Sequence, residues 1–415
     1  MTRDPPELWR ERFVAEGCDV VDPAPVHPDA DWWAVDGYAL GEPGPGPAGA
    51  GVVRIDDHDG AGTGGAGADL VVDQNLEVDP TSYRGARAVL LGPRYALLRR
   101  DMHEPHAVTP VPDAARRVVV VLGGSPTAEV RALGHAVASD GRLGHLDVRV
   151  LDGSVDVAPE LAAADVALAA AGIVAWELCC RGVPTVLVAV AANQAPVAQQ
   201  LADAGAADRV EPDPEAIVIA LAALAGDARR RADMARVGRS LVDGLGARRV
   251  ACRLRSHLLT LRDVREVDAA LLHEWSNDPG TRAASFSSSP IPWDEHLAWL
   301  TARLARPASA SYIASDSLKG AVGLVRFDQG LTGSAEIGVT VAPERQGEGW
   351  GGALVDAGCR RWAAGRGAVR VDALVKVGNE ASVRAFVDAD FDAAASDDPH
   401  VLRYARHLDG DERRS

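Results

Sequence analysis

A glycine-rich break between a strand pattern and a helix pattern, at residues 335–354 (AEIGVTVAPERQGEGWGGAL), constrains this chain more than any other feature. The alternation over Glu336, Ile337, Gly338, Val339, Thr340 and Val341 predicts a strand that ends at Pro343. Leu354, Val355, Gly358 and Trp362 then recur at helical spacing. A helix that follows a strand through a tight turn presents its first backbone N–H groups without internal partners, at the positive end of its dipole. Glycines at 347, 349, 351 and 352 remove the side chains that would keep a pyrophosphate from those groups. A bare glycine cluster also suits a solvent loop before an ordinary helix, so the flanking residues decide.

Those flanks carry a resemblance. Gln346-x-x-Gly349-x-Gly351, after a strand ending in Val341-Ala342-Pro343, resembles the acetyl-CoA pyrophosphate loop of the GNAT N-acetyltransferases. The likeness runs over about residues 259–408. It opens with LTLRDVREVDAALLHEWSNDPGTRAASF, similar to the first strand and helix of the amino-sugar and ribosomal-protein branches of that family. It closes with Asn379-Glu-Ala-Ser382-Val-Arg-Ala-Phe386, similar to the Asn-led helix that packs along the pantetheine arm. The resemblance implies an α+β acyltransferase domain over 259–408 with acetyl-CoA as cofactor. Gln346, Gly347, Gly349, Gly351, Gly352, Asn379 and Ser382 would hold it, together with the strand backbone at Ile337, Val339 and Val341, which also supplies an oxyanion donor. Trp275, Asn277 and Arg282 resemble the acceptor-side segment and are candidate substrate contacts; a structural role at a helix end is the alternative.

Acetyl transfer needs a neutral amine, so a carboxylate or histidine within reach, directly or through water, is expected. Glu336 is the candidate base because its strand presents it near the acyl end; the alternative is a strand-edge carboxylate facing solvent. Family members often protonate the departing thiolate with a tyrosine of the Asn-led helix. Phe386 matches that position here and cannot donate a proton, which leaves water or another residue such as Tyr404. His296, in WDEHLAWL between Trp293 and Trp299, reads as a helix-face residue.

The chain has 415 residues, room for two or three domains with separate cores. Residues 116–225 alternate β-branched runs (Arg117–Leu122, Asp147–Leu151, Val166–Ala170, Val186–Val190) with helical patterns. That pattern predicts a Rossmann-type parallel α/β sheet. Its ligands would lie at the carboxyl ends of the strands, where Gly123-Gly124-Ser125 and Asn193-Gln194 fall. Residues 1–110 carry looser strand and helix signals and a Gly/Pro-rich patch at 41–66, expected to be a lengthened surface loop. A charged helical stretch, Asp227–Leu261, leads into the C-terminal region, and the boundary is placed near 255–260. The net charge of −16 argues against nucleic acid or an anionic membrane as partner. Neither a signal peptide nor an apolar run of membrane-spanning length is evident. The five cysteines (18, 179, 180, 252, 359) show no metal-ligand spacing, so no metal is expected and a reducing cytoplasm is the simple reading.

The N-terminal blocks have their own resemblance. DWWAVDGYAL (31–40), IDD (55–57), ADLVVDQN (68–75), LLGPRYALLR (90–99), VLGGSP (121–126), WELCCRGVP (176–184) and ANQAPVAQQL (192–201) occur in order. They look like the nucleotide-sugar hydrolase of pseudaminic acid synthesis, a GT-B-like enzyme that removes UDP from a diacetamido-trideoxy sugar. The resemblance implies a truncated first Rossmann-like half over 1–110 and a nucleotide-sugar-binding half over 111–255. It also implies a UDP-linked amino sugar as partner. The acetyltransferase acting one step earlier in that pathway acetylates the 4-amino group and belongs to the GNAT branch that residues 259–408 resemble.

Departures from the hydrolase pattern shape the expectation. The family's opening Gly-x-Gly-His loop, with its catalytic histidine, has no counterpart in Met1–Val21. Val-Asp-His-Tyr is Val35-Asp36-Gly37-Tyr38 here. The hydroxyl residues before Trp176-Glu177 are replaced by Ala171-Gly172-Ile173-Val174-Ala175, and Asp-Asn-Gln by Ala192-Asn193-Gln194. What remains could still bind. Glu177 suits ribose hydroxyls or a helix-start carboxylate, and Gly123-Gly124-Ser125 suits phosphate or a plain turn. Asn193 and Gln194 suit a ligand or a helix cap, while His58, His103 and His106 read as loop residues. The expectation is an N-acetyltransferase fused to a degenerate hydrolase half that holds the nucleotide sugar. The alternatives are a bifunctional enzyme with a misassigned start, and a protein or small-amine acetyltransferase with an N-terminal scaffold. A missing first strand would leave a sheet edge to be covered by the 41–66 loop or a second subunit.

Overall fold

The computed structural model describes residues 30–36, 50–56, 65–102, 111–124, 126–151, 157–318, 320–330, 334–364, 366 and 369–408. The chain divides into two compact units, Met1–Ala247 and Arg248–Ser415.

The first unit contains two parallel sheets. In one, β1 (Trp32–Asp36), β2 (Gly51–Asp56), β3 (Leu70–Asp73) and β4 (Ala88–Leu91) lie side by side in chain order. All of β3 is buried, including Asp73, whose carboxylate accepts from the Tyr83 hydroxyl at 2.7 Å and the Asn75 N–H at 2.9 Å. Those bonds offset the cost of burying the charge. The other sheet has the order β6 (Asp147–Leu151), β5 (Arg117–Val121), β7 (Val166–Ala170), β8 (Thr185–Val188), β9 (Asp208–Arg209), with every pairing parallel. Helices α1 (Ala128–Ala138), α2 (Val157–Ala162), α3 (Ile173–Arg181), α4 (Gln194–Asp203), α5 (Pro214–Gly226) and α6 (Ala228–Leu241) connect and cover it. Side-chain alternation feeds two cores. Val119, Val121, Ala167, Ala169 and Leu187 pack with Trp176 of α3, while Val118, Val120, Leu168 and Val186 pack with Ile217 and Leu221 of α5. Both faces are therefore apolar, which is why these strands read as continuous hydrophobic runs.

The second unit is built on one mixed sheet of seven strands. Its order is β10 (Leu259–Asp263), β11 (Ser309–Asp316), β12 (Gly320–Gln329), β13 (Ser334–Val341), β14 (Val369–Lys376), β16 (Val401–Leu408), β15 (Asp392–Ala394). All pairings are antiparallel except β13 with β14. Its helices are α7 (Gly246–Ser256, in this unit from Arg248 onward), α8 (Ala269–Asn277), α9 (Pro279–Ala284), α10 (Trp293–Leu304), α11 (Trp350–Ala363) and α12 (Glu380–Asp388). On one face Val325, Phe327, Ile337, Val371 and Ala373 pack against Leu354, Cys359 and Trp362 of α11, with the Phe327 and Trp362 rings stacked at 5.2 Å. On the other, Ile313 and Leu324 meet Leu272 and Trp275 of α8 and Leu300 of α10. The only route from β13 to its parallel neighbour β14 is the α11 crossover. The glycine turn at its start is thereby placed at the carboxyl end of β13.

Candidate functional site

Strands β13 and β14 separate part-way along. Their register pairing runs from Ser334–Arg370 to Ile337–Ala373 and stops, although β13 continues to Val341 and β14 to Lys376. On its other side β13 stays paired with β12 through Val341. The Ala342 N–H donates to the Val322 carbonyl of β12, so alternation aims the backbone groups of Val339 and Val341 away from β12 and into the gap. Open strand edges of this kind can accept an extended chain bearing amides.

The gap leads to the glycine turn. Gly347 and Gly349 have φ of +78° and +80°, left-handed conformations that L side chains adopt at a cost. Gly349 is the N-cap of α11 and offers no side-chain cap, so the first N–H groups of that helix stay available to an anion. Trp350 opens the helix between two guanidinium groups, Arg255 at 4.5 Å and Arg345 at 5.1 Å from its ring centroid. Arg345 pairs with Asp316 at 2.6 Å and with Glu348 at 2.9 Å. Gly351 and Gly352 allow α11 to approach its neighbours: a Cβ on Gly351 would lie 3.1 Å from the Ala385 Cβ, and one on Gly352 3.1 Å from the Cys252 Sγ.

The α9 segment touches both sides of the opening. The Gln346 side-chain amide lies 3.5 Å from the Asp278 carboxylate and from the Thr281 hydroxyl. On the β14 side, Lys376 Nζ donates to the Ala283 and Ser285 carbonyls, and Asn379 Nδ2 to the Ala284 carbonyl at 3.1 Å. Asn379 also caps α12, its Oδ1 accepting from the Ser382 N–H at 3.1 Å. Gln346 is thus brought to the same opening as Asn379 and Ser382, which lie more than thirty residues further along the chain.

The two candidate catalytic side chains lie on opposite faces of the sheet. Ile337, Ala373 and Tyr404 are register partners on the α11 face, where Tyr404 is buried in the core with Phe386. Glu336 is on the other face, exposed, next to the point where the strands part, with Asp328 and Asp372 as register partners. Asp328 pairs with Arg303, and Asp372 with Arg370 and Arg403. No cation pairs with Glu336 among the described residues.

Residues 259–392 match the sequence model of the acetyltransferase (GNAT) domain. This part of the chain is a GNAT acetyltransferase domain. The chain is thus an N-acetyltransferase, with acetyl-CoA as cosubstrate. Spermidine N-acetyltransferase from Vibrio cholerae, in complex with CoA and spermine, is similar at 20% identity over 36% of this chain and 96% of its own, with a TM-score of 0.32. A domain from Methanocaldococcus jannaschii is similar at 21% identity over 36% of this chain and 98% of its own, with a TM-score of 0.33. No curated protein matches the chain.

Within the GNAT domain, each acceptor-side candidate is engaged by its own surroundings. Trp275 is fully buried in the core under α8 and α10. Asn277 exchanges hydrogen bonds with the Ile291 backbone, accepting from its N–H at 2.7 Å and donating to its carbonyl at 3.1 Å. Arg282 donates to the Ser287 and Ser289 carbonyls and to the Ser285 hydroxyl, shaping the loop after α9. His296 is buried with its Nε2 3.0 Å from the Ala269 carbonyl; burial lowers its pKa, and His273 adds to that.

Helix α7, just ahead of the family match, is bound into the same unit. Arg248 pairs with Asp388, Arg249 with Asp390, and Arg253 with Asp356. Asp356 is buried in α11 and also accepts from Ser256, Arg360 and Arg406. Burial alone would raise its carboxyl, but the guanidinium groups of Arg253, Arg406 and Arg360 and the Ser256 hydroxyl hold it far below the usual carboxylate range. Sequence reasoning missed this network, and Arg255 with it. The available signal was Arg249, Arg253 and Ser256 at helical spacing, opposite an Asp356–Arg360 pair four residues apart.

In the first unit the strand order reverses between β5 and β7. Gly123, with φ of +118°, and Gly124 follow β5, and Gly172, the N-cap of α3, follows β7. Ser125 lies outside the described residues, as do His58, His103, His106 and Gly37. Glu177 is buried and accepts from Arg99 Nε at 2.8 Å; burial nonetheless raises its pKa, with Arg99 opposing. Asn193 stands at the N-cap of α4 without a side-chain cap bond, and Gln194 Oε1 accepts from the Val190 N–H at 3.0 Å. Burial pushes the Cys179 thiol up to about 12 and the Cys180 thiol to about 11, so neither is a nucleophile at neutral pH. No helix among the described residues is long and apolar enough to cross a membrane.

Proposed function

We propose that the GNAT domain transfers the acetyl group of acetyl-CoA to the amine of a nucleotide-linked amino sugar, and that the first unit is a hydrolase-like half retained to hold that nucleotide. The observation that carries the acetyl-transfer chemistry is the parting of β13 from β14 beside the glycine turn. The pantetheine arm lies along the open edge of β13, pairing with the backbone of Val339 and Val341, and the pyrophosphate sits on the N–H groups of Gly347–Gly352. Gln346, Asn379 and Ser382 border the arm. Glu336 takes the proton from the attacking amine; it is exposed on the face opposite the α11 core, beside the strand separation. The tetrahedral oxyanion is met by a β13 N–H. Tyr404 is buried in the core with Phe386 on the opposite face, which favours water for returning the proton to the thiolate.

The sugar assignment is supported by the sequence resemblance of residues 1–255 to a nucleotide-sugar hydrolase. It is supported also by a parallel sheet with glycine turns where its strand order reverses, the usual ligand crevice of such sheets. Glu177, engaged by Arg99, is left as a structural group rather than a ribose contact.

Release of coenzyme A from acetyl-CoA, measured with a panel of UDP-amino sugars and with peptide amines and polyamines as controls, tests the proposal. Free UDP is followed in the same mixtures. Sugar-dependent thiol release without UDP is the expected result. UDP release would restore the hydrolase, and thiol release with peptides or polyamines alone would remove the sugar assignment.

A further inference from the structure

Four arginines lie on α7, at 248, 249, 253 and 255. The first three close onto Asp388, Asp390 and Asp356. Arg255 has no carboxylate partner among the described residues, although it is half-buried in a chain of net charge −16. Its guanidinium stacks on Trp350 at 4.5 Å, and a Cβ built on Gly349 would lie 2.9 Å from its Nη1. Arg345, on the same indole, is already neutralised by Asp316 and Glu348. The glycine turn therefore has beside it one guanidinium engaged by carboxylates and one that is not. A planar guanidinium held by an aromatic ring keeps its edge N–H groups free for two oxygens of a phosphate.

We propose that Arg255 is a coenzyme A ligand, closing on the pyrophosphate held by the 346–352 turn from a helix that precedes the GNAT domain. This rests on acetyl-CoA using that turn. Gly349 is then needed twice, for its positive φ and because a side chain there would displace Arg255. The indole of Trp350 fixes the guanidinium before the ligand arrives, which reduces the entropy lost on binding. Arg253 and Ser256, anchored to Asp356 on either side of Arg255 in sequence, fix the helix that carries it.

The test compares wild type with Arg255→Met, which keeps the packing length without the charge, and Arg255→Lys, which keeps the charge. Dissociation constants for coenzyme A and dephospho-coenzyme A are measured by calorimetry, and turnover with S-acetylpantetheine, which has no pyrophosphate, is followed in parallel. Loss of charge-assisted hydrogen bonds predicts about tenfold to hundredfold weaker binding of both nucleotides to Arg255→Met. Partial recovery is expected in Arg255→Lys, and unchanged turnover of S-acetylpantetheine in all three proteins. Equal affinity of wild type and Arg255→Met for both nucleotides overturns the proposal, as does a loss confined to coenzyme A, which would place the contact at the 3′-phosphate. Equal loss of S-acetylpantetheine turnover would make Arg255 a packing residue and also overturn it. A wild-type protein that binds neither nucleotide would instead overturn the use of the turn by acetyl-CoA.

Discussion

Arg253 Nε lies 3.2 Å from a carboxylate oxygen of Asp356, both side chains almost fully buried, joining α7 to the helix that follows the glycine turn. Removing one member of a buried ion cluster leaves the others uncompensated, which typically costs about 3–5 kcal/mol. Asp356→Asn is expected to lower the stability of the second unit by about that amount, read from urea unfolding. Asp356 has a depressed pKa in the fold, so its contribution is complete above the unfolded carboxylate value of about 3.9 and fades as pH falls below it. Wild type should therefore lose stability more steeply than Asp356→Asn below about pH 4.

Glu336→Gln keeps the size of the side chain and removes its basicity. If Glu336 takes the amine proton, kcat falls by about 10²–10⁴ while the KM for acetyl-CoA stays near that of wild type. An unchanged kcat would return Glu336 to the role of a solvent-facing strand residue.

Gly349→Ala places a Cβ at φ +80° and against Arg255. The backbone cost is about 1–2 kcal/mol, and the turn must shift. The expected outcome is a raised KM for acetyl-CoA with a smaller change in kcat, measured by steady-state kinetics. Gly351→Ala, whose new Cβ meets the Ala385 Cβ at 3.1 Å and a Val341 methyl at 4.0 Å, with no positive φ to strain, should be milder.

His296 is buried and its pKa is lowered, so it folds in the neutral form. The unfolded chain takes up its proton first, near pH 6.5, and stability should decline as pH falls below that value. The urea midpoint between pH 7 and 5 reads the slope, and His296→Gln should flatten it.

Arg99→Ala would leave the Glu177 carboxyl buried without its cation. The first unit should then lose about 3–5 kcal/mol, visible as an earlier unfolding transition. Coenzyme A binding by the second unit should persist below that transition.

The regular parts of this fold were legible because their signals are local. The β-branched runs around Val119, Leu168 and Leu187 announced a parallel sheet, and the 346–352 glycines announced a turn before a helix. What stayed hidden depends on pairing across long separations. Nothing local to Ile337 or Ala373 says that their strands part beyond them. Asn277 and Arg282 were legible either as pocket residues or as helix-end structure, because polar groups there serve a ligand and a backbone equally well; their hydrogen bonds run to the 285–291 loop. Arg255 was lost among charged neighbours, since sequence alone does not separate a neutralised arginine from an unneutralised one.

The anchoring of α7 bears on how such a domain could be inherited. The family match begins at Leu259, yet Arg248, Arg249, Arg253 and Ser256 are fastened to Asp388, Asp390 and Asp356 inside it. A recombination joint at the edge of the sequence match would strand Asp356 without Arg253 and Ser256, leaving only Arg360 and Arg406 on its carboxylate. The transplantable cassette therefore starts at least eleven positions upstream, at Arg248. A lineage that acquired the fold without this helix would need a different answer for the buried carboxylate at its centre.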